Sequence, residues 1–190
     1  MDPIPALANR VNQGLADSLV KNRLCTLDDT EEAMPQLKQH LLDGNIKQAS
    51  LLKILCWDLK RMNEGDVLDF LVDEHRLGYC NPANYTVDRS ALPPFKLEEC
   101  WATMALPFDQ VQGVFFVATA HYLSEAVRDH WVKRLRPDII WFASDLSALS
   151  MGLDELEKLE AKAGKPKESE TDKPTASSTA GLSDKQKGGA

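Results

Sequence analysis

The chain has 190 residues, 43% of them hydrophobic and 27% charged, and a formal net charge of -7. That length suits one ordinary domain, or two small ones with a tail, and the apolar share is enough for a packed core, which excludes a wholly disordered protein. The acidic balance argues against a nucleic-acid groove, which needs a concentrated positive field. Residues 1–161 carry 16 Lys and Arg against 25 Asp and Glu, whereas residues 162–190 carry 6 against 4, so the acidity belongs to the part expected to fold.

Residues 1–33 read as a helical leader, with a weak periodic pattern through Leu7, Val11, Leu15, Leu19 and Leu24 and an acidic run at Asp28, Asp29, Glu31 and Glu32. Its opening lacks the charged-then-apolar layout of a secretory signal. No apolar run approaches the roughly 20 residues that a bilayer span requires. A reducing cytoplasm is the expected setting. The four cysteines, Cys25, Cys56, Cys80 and Cys100, contain no pair two or three apart, so no zinc or redox motif is spelled out. Cys56 and Cys100 each adjoin a tryptophan and read as buried free thiols.

A helical subdomain follows over 34–77. Met34 to Leu42 predicts a short helix ending at Asp43-Gly44, since glycine tolerates the left-handed conformation. Ser50 starts a second helix, in which Leu51, Leu52, Leu55, Cys56 and Leu59 fall at helical spacing. A third, after Asn63-Glu64-Gly65, carries Val67, Leu68, Leu71 and Val72. The first two units echo the third loosely, as a weak repeat of helices that cannot bury their apolar stripes alone. Residues 78–94, rich in proline and turn formers, read as a linker.

Residues 95–161 predict a small three-stranded α/β subdomain, which makes the fold class α+β. Leu97, Cys100, Trp101 and Met104 suit a short helix. Ala105 to Phe108 extends, and Pro107 marks an edge strand. Gln110 to Gly113 is the turn and Val114 to Thr119 a buried strand. Ser124 caps a helix with Val127, Trp131, Val132 and Leu135 inward; Pro137 ends it. Ile139 to Ala143 makes a third strand, parallel to the second through a right-handed crossover. Ser144 or Asp145 opens a last helix through Leu146, Leu149, Leu153, Leu156 and Leu159. Residues 162–190 hold one large apolar residue, Leu182, and are expected to form a disordered tail.

Several of these features together resemble the N-terminal domain of the type II secretion and type IV pilus assembly ATPases. In that family, helical repeats of the form RLGxxLxxxGxLxxxxLxxxLxxQ precede a small α/β subdomain. The matching residues are Leu41, Gly44, Ile46, Leu51 and Leu55 in one repeat, then Leu106-Pro107-Phe108, Gly113, Val117-Ala118-Thr119-Ala120 and Phe142-Ala143-Ser144-Asp145-Leu146. The resemblance spans roughly residues 34 to 156. It implies docking to a protein partner, such as the cytoplasmic part of an inner-membrane assembly protein, and in some members binding of cyclic di-GMP.

The departures argue against the nucleotide. Where the repeat has its arginine, first glycine and last glutamine, this chain has Pro35, Leu37 and Asp58, and the second copy reads Asn63-Glu64-Gly65. Guanidinium donors suit phosphate oxygens, and an aspartate repels them. Arg76-Leu77-Gly78 is a literal triplet, yet Tyr85 stands where the next glycine belongs. The chain also lacks GxxxxGK[ST], so the motor's phosphate cradle is missing from it.

Composition of sites points the same way. Asp69, Asp73, Glu74 and His75 occupy consecutive helical positions and read as a solvated face rather than a metal cluster. His121 and His130 are expected at the surface or at caps. Ser124, Glu125 and His121 lack a strained nucleophile turn. No catalytic residue, cofactor or metal ligand is assigned, and the expectation is a non-enzymatic docking or regulatory module. A cyclic di-GMP sensor with a degenerate motif is the alternative. Trp57, Trp101, Trp131 and Trp141 read as core by default; the expected protein interface is Arg128, Trp131, Lys133 and Arg134, with Trp131 the candidate if one tryptophan is an exposed anchor.

Overall fold

The computed structural model describes residues 3–136 and 138–163. Helix α1 (Pro3–Lys21) buries Leu7, Val11, Leu15 and Leu19 along one stripe. The expected leader is therefore a central support: α1 packs on the helices at 27–42 and 51–53 and on those at 97–103 and 125–135. Residues of both expected subdomains enter one continuous hydrophobic core. Helix α2 spans Leu27–Leu42, seven residues more than the pattern from Met34 predicts, with Pro35 inside it. The reason is a capping box at Thr26, whose hydroxyl accepts from the Asp29 N–H while the Asp29 carboxylate accepts from the Thr26 N–H.

Helix α3 (Leu51–Lys53) opens at Ser50 as expected, the serine hydroxyl accepting from the Lys53 N–H. It then widens into a π turn over Ile54–Asp58, which ends the regular spacing and leaves Trp57 and Asp58 exposed. Helix α4 (Glu64–Asp73) is capped by Asn63. The expected linker contributes strand β1 (Gly78–Tyr79), so the sheet has four strands rather than three. Gly78 is needed there because a Cβ would meet the Phe142 ring at 3.2 Å.

After helix α5 (Leu97–Thr103) come β2 (Ala105–Val111) and β3 (Val114–Thr119), an antiparallel hairpin. Its turn is only Gln112-Gly113, both at positive φ, so Gln110 and Val111 belong to the strand. Helix α6 (Glu125–Leu135) crosses over to β4 (Ile139–Ala143), parallel to β3. The sheet order is β1-β4-β3-β2, which puts Pro107 on an edge strand beside a bulge. Helix α7 (Leu146–Ala163) begins at Asp145, whose Oδ1 accepts from the Ala148 N–H at 2.7 Å. The expected helix end at Pro137 and the expected tail beyond Ala163 lie outside the described residues. No helix among the described residues is long and apolar enough to cross a membrane.

Candidate docking surface

Helix α6 positions the expected interface residues, and its 100° step separates them. Val127, Trp131 and Leu135 recur every four residues, and all three are buried. Trp131 is 0% exposed. Its Nε1 donates to Thr103 Oγ1 at 3.1 Å, and its ring meets Phe95 edge-on at 5.5 Å. The expectation of an exposed Trp131 is therefore corrected: it shares the stripe of Val127 and Leu135, and burying the largest side chain there fills the core.

The three cations part company around it. Arg134 turns to Glu99, a carboxylate that also accepts from the Lys96 N–H. Lys133 borders a groove of about 490 Å³ between α1 and α6, shared with Arg10, Asp17, Glu125 and Asp129. Arg128 faces the other way, with its guanidinium 5.0 Å from the Tyr122 ring centre and one N–H donated to the Tyr122 carbonyl.

Tyr122 belongs to an aromatic row. Phe70 meets His75 at 5.5 Å, His75 meets Tyr122 at 5.4 Å, and Tyr122 meets Trp141 at 5.8 Å, each near edge-on. His75 is exposed and the other three are half-buried. Val132 is exposed on the same flank of α6 as Arg128. Trp, Tyr and Arg are the residue types that most often carry binding energy at protein interfaces. Only tertiary folding gathers α4, the turn before α6, α6 and β4 here. Strand β4 is the unbroken apolar run Ile139–Ala143, with no alternation that marks Trp141 as a surface residue.

Beneath this surface the polar side chains are sealed. His121 is fully buried rather than superficial, with Nε2 3.0 Å from Ser50 Oγ. Burial, and then the nearby Lys53 ammonium, pull its pKa down to about 3, so the ring is neutral. Ser124 stands at the start of α6 without a side-chain cap bond. Its buried hydroxyl lies against Gly14 of α1 and finds no partner among the described residues, so the capping expectation is corrected. Lys53 is held between Trp101 and Trp57, its ammonium 5.0 Å and 5.7 Å from the ring centres, and donates to the Lys47 carbonyl; burial brings its pKa to about 8. His130 is half-buried and meets Trp131 edge-on at 5.2 Å. Asp69, Asp73, Glu74 and His75 are all exposed. Of the thiols, Cys80 and Cys100 are buried; Cys25 and Cys56 are half-buried, so the burial expected for Cys56 is partial.

The chain matches no family model and no curated protein. Among solved structures, that of MshE with cdg is similar at TM-score 0.44 and 19% identity, over 74% of this chain and 96% of that chain. A likeness of that size transfers neither ligand nor partner.

The positions of the repeat are engaged in contacts within the chain. Gln36 Nε2 donates to Asp58 Oδ2 at 2.7 Å, and Arg61 pairs with Glu32 at 2.6 Å. Glu64 accepts from the Leu146 N–H at the start of α7, and Asn63 caps α4. Arg76, at φ 58, turns the chain into β1.

Proposed function

We propose that the chain is a docking module of the kind found at the front of secretion and pilus assembly ATPases, and that it works by binding a protein partner rather than by catalysis. The observation that carries this reading is the row Phe70–His75–Tyr122–Trp141 with Arg128 laid over Tyr122. Motifs over residues 34 to 156 supply the family resemblance. A binding role is further supported by the chemistry of the interior. The buried contact of Ser50 with His121 leaves His121 Nδ1 without a partner among the described residues, so none of their carboxylates orients the ring as a general base.

The experiment is co-purification with the cytoplasmic part of an inner-membrane assembly protein, using three forms: the full chain, the chain ending at 163, and Tyr122→Glu. The reading expects the shortened chain to hold the partner and Tyr122→Glu to release it. Recovery that depends only on residues 164–190 overturns it. Isothermal titration with cyclic di-GMP addresses the alternative. The acids around the repeat positions, Asp29, Glu32 and Asp58, set against one cation, Arg61, predict no heat at high micromolar ligand. Saturable heat would make the helical half a sensor.

A further inference from the structure

Strand β4 has five residues, Ile139–Ala143, but β1 pairs with only Phe142 and Ala143. Toward β3 it is paired along its whole length. The bonds Phe115 N–H to Asp138 C=O and Ser144 N–H to Thr119 C=O set the phase of that parallel ladder. In this phase the even residues of β4 bond to β3, and the odd residues turn their N–H and C=O to the opposite edge. Ala143 does so, its carbonyl accepting from the Cys80 N–H at 2.9 Å. The Ile139 N–H and C=O and the Trp141 N–H point the same way and have no partner among the described residues.

An unpaired edge is a template for another strand. Here it has side chains for one. Trp141 and Tyr122 stand on the α6 side, with Val132 and the Arg128 guanidinium beside them. Ile140, 47% exposed, lies on the opposite face. Of the charged and titratable groups, Arg128 and His75 reach this surface through the Tyr122 ring; Arg136 and Asp138 precede β4 in the chain, and Asp73, Glu74 and Arg76 flank His75. On α6 Glu125, Asp129 and Lys133 line the other groove, with α1, so the charge that α6 holds over the Tyr122 ring on this side is Arg128.

We propose that the Ile139–Trp141 edge accepts an extended segment of a partner protein as an added strand in line with β1, with apolar side chains against Trp141 and Ile140 and an acidic side chain against Arg128. The inference rests on the docking reading and names its mode. A second copy of this chain fits less well, because two bodies of net charge -7 repel.

The test uses the full chain and two synthetic probes, acetyl-EVEVEVE-amide and acetyl-KVKVKVK-amide, followed by amide NMR. The glutamate peptide is expected to shift the Ile139 and Trp141 amides and slow their hydrogen exchange, with the lysine peptide about tenfold weaker. Ile139→Pro removes an outward N–H and no bond to β3, so it should fold and bind about tenfold less well. Arg128→Glu is a second probe, and should reverse the order of the two peptides. No response, equal response to both peptides, shifts confined to the β2 edge, or self-association through β4 seen in sedimentation would each overturn the proposal. If Ile139→Pro still co-purifies with the partner that Tyr122→Glu releases, the added strand is wrong and the docking reading stands.

Discussion

The side-chain amide of Asn12 acts as a backbone group for Leu51: its Oδ1 accepts from the Leu51 N–H at 2.7 Å, deep in the core. The same side chain donates to the carbonyls of Ala8 at 2.8 Å and Ala49 at 3.0 Å. One residue of α1 thereby fixes the entry to α3 and satisfies two buried groups outside regular structure.

Asn12→Ala should accordingly destabilise the fold by about 3 kcal/mol, since a buried N–H and a buried carbonyl both lose their partner. Urea unfolding checks this through the midpoint, with an unchanged slope showing that the denatured state is unaltered. A midpoint within error of the parent would mean that water replaces the amide.

Trp131 and Thr103 form a second such pair inside the α/β half. Thr103→Val is expected to cost about 1–3 kcal/mol by leaving the indole N–H unpaired, and Trp131→Ala about 3–5 kcal/mol through the cavity. Acrylamide should quench Trp57, which is 41% exposed, and leave Trp131 untouched. Single-tryptophan variants separate the two signals.

The buried His121 links stability to pH. Its folded pKa lies below its unfolded value of roughly 6.5, so the unfolded chain binds the extra proton. The contribution is fully present above about pH 6.5 and is lost as pH falls toward about 3, at close to 1.4 kcal/mol per unit. His121→Gln should flatten the stability curve between about pH 6.5 and 5 by about 2 kcal/mol. Half-buried His130 is shifted the same way by burial and remains in both proteins, so the difference between them isolates His121. Parallel curves would place His121 in water.

Thiol reactivity gives a third measure of packing. Burial, then Asp29, pushes the Cys25 thiol up to about 11, and burial, then Glu64, pushes Cys56 to about 12. Relative to an ordinary thiol at 9.0, Cys25 should react about a hundredfold more slowly with Ellman's reagent near neutral pH, because only the thiolate attacks. Cys100, fully buried, should react only on unfolding. Four thiols titrating rapidly in the native protein would contradict this packing.

Much of the architecture was legible in the residues because it is local. The stripe Val127, Trp131, Leu135, the branched run of β3, the Ser50 start and the crossover between β3 and β4 each follow from spacing and capping within a few positions. The start of α2 lies seven residues before the one that the pattern from Met34 predicts: Thr26 and Asp29 spell a capping box, but the acidic residues after it read as a boundary. Strand β1 was missed for a different reason: two residues have no period of their own, and only the free edge of β4 makes them a strand. For the same reason the half-buried tryptophan beside Arg128 and Tyr122 is Trp141, not the Trp131 that adjoins the cations in sequence.

The sequence by itself determined the α+β class, the parallel central pair and the apolar stripes, since helix and strand periodicity are short-range consequences of backbone geometry. Tertiary structure alone decided that α1 joins both halves in one core, that His121 is sealed against Ser50, and that Phe70, His75, Tyr122, Trp141 and Arg128 share a surface. Those contacts join residues as far apart as Ser50 and His121, 71 positions, or Ser18 and Leu123, 105 positions, separations at which side-chain packing, not local propensity, sets who meets whom.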